Sequence, residues 1–234
     1  MSRLCSLLLL VLLAACSTTE VDSTATQVSA KTVLLLPVDA MYPELAEAAL
    51  PAYGALQRAL EKKRFHVITS NHAVFDAAVD QALEAAGAMY DPAIGKFLPA
   101  DRNIYLKTLI DVYALSHDYD VVIMPSLVIH AAAVDGDTAL WDGVRRPIEQ
   151  VAAPQVPYRH PSAMRGLSLQ LAAYTRNGLF VVQSDGGLSL PYRMDYRQVP
   201  PLFVLKDELF TAAELREAVT VSLKTVLQQV KYHD

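Results

Sequence analysis

Cys16 is the residue with the clearest potential for covalent chemistry. It directly follows a nine-residue apolar run, Leu7 to Ala15, and Arg3 places a positive charge ahead of that run. A thiolate is a good nucleophile toward alkylating groups. The apolar run is far shorter than the roughly 20 residues that cross a bilayer. A short apolar run behind a positive residue is instead typical of a secretory signal.

The sequence Leu13-Ala14-Ala15-Cys16 resembles the lipobox of bacterial lipoproteins. The resemblance covers residues 1 to 16 and implies cleavage before Cys16, a diacylglycerol on its sulfur and an acylated amine. Two or three acyl chains would anchor the protein stably in a membrane. Ser17 resembles the class sorted to the outer membrane. The alternative is an unlipidated secreted protein with a chance cysteine at the cleavage point.

Other catalytic signatures are missing from the sequence. It has no H-E-x-x-H, G-x-S-x-G, Walker A or G-x-G-x-x-G motif. The six histidines are scattered, and Asp76 and Asp80, four residues apart, are more typical of a solvated helix face than of a metal site. Cleavage would remove Cys5 and lipidation would consume Cys16, the two cysteines of the chain, so that cysteine catalysis and zinc–thiolate sites are excluded. We expect no enzyme, cofactor or metal, although a Ser-His-Asp triad assembled from distant residues stays open.

The first candidate partner surface surrounds the single tryptophan. Trp141 lies beside a turn dipeptide and is followed by Arg145 and Arg146, the one locally basic segment of an acidic chain. Tryptophan and arginine are favoured at binding hot spots, which suggests a contact for a protein, an anionic headgroup or a glycan. The alternative, which we favour, is a core tryptophan with two solvated arginines.

A second candidate surface lies in a segment rich in proline and glycine, residues 184–208. Its candidate residues are Tyr192, Arg193, Tyr196 and Arg197. A long loop with aromatic and arginine side chains is typical of an interaction surface. The alternative is a loop that packs over the sheet with its tyrosines as lids.

Composition limits the class of protein. The chain has 234 residues, 53% of them hydrophobic, and a formal net charge of −5. This is enough apolar material for a core, so disorder is excluded as the main state. The acidic balance argues against a nucleic-acid partner, which needs a basic footprint. The length suits one domain, and the sequence sets no oligomeric state.

The pattern of apolar residues predicts an α/β fold. We expect a mixed β-sheet with an N-terminal β-α-β unit, helices mainly on one side, a hairpin-rich second half and a C-terminal helix. The predicted divisions are a signal peptide at 1–15, a lipidated Cys16 and flexible tether at 16–30, and one domain at 31–234. Local signals predict helix starts at Pro43, Asn71, Asp101 and the capping box Thr211–Glu214. They also predict a loop at 88–100, a half-buried strand at 167–173 and an irregular segment at 184–208.

The start of the domain, KTVLLLPVDA followed by a helix and RFHVIT, is similar to periplasmic lipoproteins that assemble envelope machinery. The curli-secretion channel lipoprotein and the lipoprotein activators of peptidoglycan synthases begin in this way. The resemblance covers residues 31–69 and implies an assembly role. The hairpin at 167–182 is too short and too buried to form a pore.

We therefore expect an outer-membrane-anchored lipoprotein that faces the periplasm and binds another envelope component, without catalysis. The expected partners are the membrane, through the acyl chains on Cys16, and an envelope protein. The first alternative is a transport-accessory lipoprotein that binds a lipid or small molecule near residues 184–208. The second is a hydrolase with a dispersed site.

Overall fold

A computed structural model describes residues 27–92, 95–151, 163–197 and 202–233. Cys16 and most of the expected tether lie outside these ranges. The first half comprises β1 Val28–Ala30, β2 Thr32–Leu35, β3 Asp39–Ala40, α1 Ala46–Lys62, β4 His66–Thr69, α2 His72–Ala86, β5 Ala88–Asp91, β6 Lys96–Pro99 and α3 Arg102–Ser116. The second half comprises β7 Val121–Asp135, β8 Thr138–Trp141, β9 Val144–Pro147, β10 Ala163–Thr175, β11 Phe180–Ser189, β12 Tyr192–Asp195, β13 Leu202–Leu205, α4 Ala212–Gln229 and β14 Val230–Tyr232.

The predicted α/β class with a mixed sheet and a C-terminal helix is confirmed. The main sheet has the order β11-β10-β7-β2-β4, in which β2 pairs parallel to β4 and β7 while β10 pairs antiparallel to β7 and β11. The long strand β7 pairs with β10 along one edge, and along its opposite edge it pairs in turn with β2, β3 and β8. No helix among the described residues is both long and apolar enough to cross a membrane.

Helices cover both faces of the sheet. Val33 and Leu35 belong to a core cluster with α1 and α4, whereas Leu34 and Leu36 belong to a second cluster with α2 and α3. We expected helices mainly on one side, but they divide two and two. The cause is the unbroken apolar run of β2, which supplies buried side chains to both faces, as strands buried on both sides do.

Three of the four predicted helix starts have the expected caps, whereas Pro43 begins a short 3-10 turn, Pro43–Leu45, that precedes α1. The Asn71 side chain accepts a hydrogen bond from the backbone N–H of Ala73 at the start of α2. The Asp101 side chain caps α3 in the same way. Thr211 and Glu214 form a capping box at the start of α4. Each cap satisfies backbone N–H groups that have no partner within the helix.

The segment 88–100, expected to be a loop, is a hairpin instead. Strands β5 and β6 pair antiparallel, and the rings of Tyr90 and Phe97 meet edge-on with centroids 5.3 Å apart. Gly95 adopts φ of 67° in the turn. Pro99 belongs to the last pair of the hairpin, a position where a strand tolerates proline. The prolines therefore mark the boundaries of strands rather than a loop.

Two other local predictions were wrong. Strand β10 is buried on both faces rather than one, because it lies between β7 and β11 with helices above and below. The segment 184–208 is not irregular throughout, since β11 continues to Ser189 and β12 pairs with β13. Its glycines, Gly186 and Gly187, lie within β11, where a close approach of other elements requires them.

Candidate functional site

Three side chains of the kinds used by serine hydrolases meet where β7, β10 and the β8–β9 turn adjoin. The Asp142 Oδ2 atom lies 2.6 Å from His130 Nδ1 and accepts a hydrogen bond of 2.6 Å from the Ser168 hydroxyl. Ser168 in turn accepts a bond of 3.0 Å from Trp141 Nε1. The structure thus brings together a serine, an aspartate and a histidine that the sequence left scattered.

The connectivity of this cluster does not suit nucleophilic catalysis. In a catalytic triad the histidine lies between serine and aspartate, because the imidazole must take the serine proton. Here the aspartate lies between the other two, and Ser168 donates its proton to Asp142. Ser168 is also completely buried, so no substrate can reach its hydroxyl. The cluster therefore stabilises the junction of three strands.

Trp141 contributes to the same junction and is buried, with 7% of its surface exposed. Its ring lies over Gly166, where an added Cβ would come within 2.5 Å of the indole. The turn that follows has Asp142 and Gly143 at φ of 40° and 77°, the positive values that a tight hairpin turn requires. This burial favours the alternative in which Trp141 belongs to the core, and it leaves little indole surface for a partner.

The two arginines after Trp141 differ in environment. Arg145 is exposed and donates to Asp135 at 3.2 Å. Arg146 has only 13% of its side chain exposed and bridges β9 to α4 by ion pairs with Glu217 at 2.7 Å and Glu214 at 3.4 Å. Arg146 is therefore a buried link between the hairpin and the helix, which its spacing in the sequence did not reveal.

The second candidate surface is also engaged in contacts within the domain. The Tyr192 hydroxyl donates to Glu44 at 3.2 Å, and burial raises the pKa of this phenol. The Arg165 guanidinium lies 5.7 Å from the centre of the Tyr192 ring. Arg193, whose guanidinium reaches within 4.0 Å of Asp207, remains partly exposed.

The next two candidates directly follow a buried carboxylate, Asp195. Tyr196 is buried and its hydroxyl donates to the Met194 sulfur at 3.3 Å. Arg197 donates hydrogen bonds to the Asp195 carboxylate from two side-chain nitrogens and from its backbone N–H. These bonds to Arg197 lower the pKa of Asp195 to about 2 from its usual 3.8. Of the four candidates, Arg197 is exposed, Tyr192 and Arg193 are partly exposed, and Tyr196 is buried.

A small apolar ligand is favoured neither at the carboxyl ends of the parallel strands nor near residues 184–208, where the sequence suggested one. In doubly wound sheets ligands bind at the carboxyl ends of the parallel strands, but here β3 pairs with Ser126 and Leu127 of β7 at that edge. A cavity of about 350 Å³ lies near the 184–208 segment. Its lining is largely charged, with Glu149, Arg193, Lys206, Asp207, Glu208 and Glu214 among its residues. An apolar ligand would have to desolvate these groups.

A groove of about 950 Å³ lies between α1 and α4. Small and aliphatic side chains form its floor, among them Ala55, Ala59, Leu215, Val219, Leu223 and Leu227. Five cations line its rims: Arg58, Lys62, Lys63, Arg216 and Lys224. No carboxylate is among the described residues that line it. We call this surface the basic groove.

The cations of the basic groove are exposed and have no ion-pair partner within the described residues. On each helix they repeat along one face, at Arg58 and Lys62 and at Arg216 and Lys224. Sequence analysis missed this site because its two walls lie some 150 positions apart. The available signal was the spacing of four or eight residues between the basic side chains on each helix.

No protein-family model matches this chain, and no match to a curated protein was found. Within the described residues, no group of three histidine, cysteine, aspartate or glutamate side chains could hold a metal ion. The resemblances of the lipobox and of residues 31–69 therefore remain predictions. The strongest structural feature for assigning a function is the basic groove.

Proposed function

We propose that this protein is a lipid-anchored, non-enzymatic binding module of the bacterial envelope, and that the basic groove receives an acidic amphipathic helix of a protein partner. The groove itself is the observation that carries the proposal. It combines an apolar floor with rims of a single charge sign on a chain whose net charge is −5. Helices commonly bind by laying an apolar face into such a groove.

The distribution of charge favours a rod-shaped ligand. Arg216 and Lys224 are eight residues apart on α4, which corresponds to about 12 Å at the helical rise of about 1.5 Å per residue. Arg58 and Lys62 extend along the opposite wall. Cations along both walls over this length fit carboxylates spaced along a helix, whereas a single lipid headgroup would require cations gathered at one end. Such complementary charges mainly set specificity and the rate of association.

The described part of the chain begins beside one end of this groove. Strand β1, which begins at Val28, pairs with β14, the strand that directly follows α4. The ring of Phe65, just beyond α1, meets that of Tyr232 edge-on at 5.8 Å. The carboxyl ends of α1 and α4 therefore lie beside the point where a tether from Cys16 would enter the domain. Anchoring would raise the effective concentration of membrane-bound partners.

Site-specific photocrosslinking tests the proposal. A photoreactive amino acid is introduced at Thr220, an exposed residue in the wall of the groove, or at Lys107 on α3 as an exposed control. We expect Thr220 to form ultraviolet-dependent crosslinks in cells that map to acidic helical segments of a protein. Crosslinks only to lipid, or the same products from Lys107, would refute the proposal.

A further inference from the structure

Helix α2 carries an exposed acidic face. Asp76, Asp80 and Glu84 repeat at intervals of four residues and are exposed, and α2 contains no lysine or arginine. None of these carboxylates forms an ion pair with another described residue. Like charges at this spacing destabilise an isolated helix, so an opposing row of cations would relieve their repulsion.

We infer that α2 of a second copy of this chain occupies the basic groove. This inference rests on the proposed function of the groove and names its partner. Asp76 and Glu84 are eight residues apart, the same interval as Arg216 and Lys224. The two rows of charge therefore have equal lengths of about 12 Å. The middle carboxylate, Asp80, then lies level with the centre of the groove.

The uncharged surfaces also match in size. The exposed part of α2 includes Val74, which is 48% exposed, and the small residues Ala77 and Ala85. In the groove, Ala55 and Ala59 keep the wall formed by α1 low. Small residues on both sides let the backbones of packed helices approach closely. Carboxylates alone would not distinguish α2 from any other acidic surface. A row of carboxylates together with small exposed side chains favours α2 as the helix that fits the groove.

The fold determines the symmetry of such an association. Helix α2 packs on one face of the sheet, and α1 and α4 pack on the other. One copy therefore presents its acidic helix and its groove on opposite sides. The contact is heterologous, so that repeated association forms an open chain of molecules or a closed ring. Anchoring in one membrane would favour this assembly by confining the copies to a surface.

Charge reversal with complementation tests the inference on the full-length protein, purified in detergent. The α2 variant carries Asp76→Lys, Asp80→Lys and Glu84→Lys, and the groove variant carries Arg58→Glu, Lys62→Glu, Arg216→Glu and Lys224→Glu. The control variant carries Lys107→Glu and Asp111→Lys, which exchanges an exposed ion pair on α3. Circular dichroism checks that each variant is folded.

Sedimentation velocity measures the association at low and at high salt. We expect the wild type and the control to self-associate, with weaker association in high salt because charges are screened. Each reversal variant alone should associate at least tenfold more weakly. A mixture of the two should form a 1:1 complex that grows no further, since one retains an intact groove and the other an intact α2.

Three results would overturn the inference. The first is a wild type that stays monomeric at about 100 µM, a concentration well above the dissociation constant of a specific contact. The others are an α2 variant that associates like the wild type and a mixture that forms no 1:1 complex. Crosslinks from Thr220 to a different protein would then leave the proposed function standing without self-association. Absence of any Thr220 crosslink to protein would remove the proposed function itself.

Discussion

Replacing Gly186 with alanine should displace α4, one wall of the basic groove. An added Cβ would lie 2.2 Å from the carbonyl oxygen of Ala218 and 3.1 Å from the backbone nitrogen of Ser222. Both atoms belong to the backbone of α4, so no side-chain rotation removes the clash. Ordinary contact begins near 3.4 Å, which means that the helix must retreat by about 1 Å.

The cost follows from what the retreat disrupts. Leu215, Val219, Leu223 and Val226 of α4 are buried against the sheet, and a gap of about 1 Å forfeits a quarter to a half of each contact's dispersion energy. The Ser184 hydroxyl also donates to the Ser222 carbonyl at 2.6 Å. Overpacked cores lose about 1–3 kcal/mol, and we place this substitution near the upper value, about 3 kcal/mol. A domain of this size would lose about 6–12 °C in Tm.

Gly54→Ala is the matched control for this experiment. Gly54 lies inside α1, and its added Cβ would meet only the flexible end of Arg58 at 3.3 Å. Alanine is favoured over glycine within a helix by up to about 1 kcal/mol, so this change should stabilise the protein. Urea unfolding followed by circular dichroism compares the two variants. If Gly186→Ala lies within about 1 kcal/mol of the wild type, or if both variants are equally destabilised, the argument from close packing fails.

Three further predictions concern the candidate residues. Bonds to Arg197 lower the pKa of Asp195 to about 2, so the stability that they confer should be complete above the usual pKa of 3.8 and should disappear as the pH falls toward 2. Urea titration across this range should show that the difference in unfolding free energy between the wild type and Arg197→Gln vanishes at the acid end. A difference that stays constant with pH would contradict this prediction. Ser168→Ala should lower the free energy of unfolding by about 1–3 kcal/mol, because it removes a buried hydrogen-bond partner of Asp142. The fluorescence of the single tryptophan should report the altered junction during unfolding. A loss of unfolding free energy within error of zero would show that the network is unimportant. Intact-mass analysis of the membrane-extracted protein should find a chain that begins at Cys16 with added acyl mass, whereas a chain that retains residues 1–15 would refute the anchor.

Local signals in the sequence predicted what short-range chemistry decides. Asn71, Asp101 and the Thr211–Glu214 box were recognised as caps because a cap depends on a few consecutive residues. The buried strand β2 was recognised from its unbroken apolar run. Predictions failed where distant segments decide the environment. The strand at 167–173 was expected to be half-buried, yet Ser168 on it is buried and bonds to Trp141 and Asp142.

The basic groove could not be predicted because it depends on the distance between two helices. Arg58 on α1 and Arg216 on α4 look like ordinary surface residues in the sequence, since each helix also has an apolar stripe. Only the packing of both helices on one sheet face makes the cations line a common surface. The order of Ser168, Asp142 and His130 was equally inaccessible, because residue types do not determine which side chain lies between the others.

The cations of the basic groove differ from many other basic side chains of the described residues, because they lack a carboxylate partner there. Among the described residues, many basic side chains outside the groove lie within 4.0 Å of a carboxylate: Lys96, Lys107, Arg145, Arg146, Arg176, Arg193, Arg197 and Lys206. A chain with more carboxylates than cations readily supplies such partners. The groove nevertheless assembles five cations and excludes carboxylates from its lining. Their mutual repulsion brings no benefit to folding, so we expect substitution of these cations to weaken association while leaving the free energy of unfolding unchanged or higher.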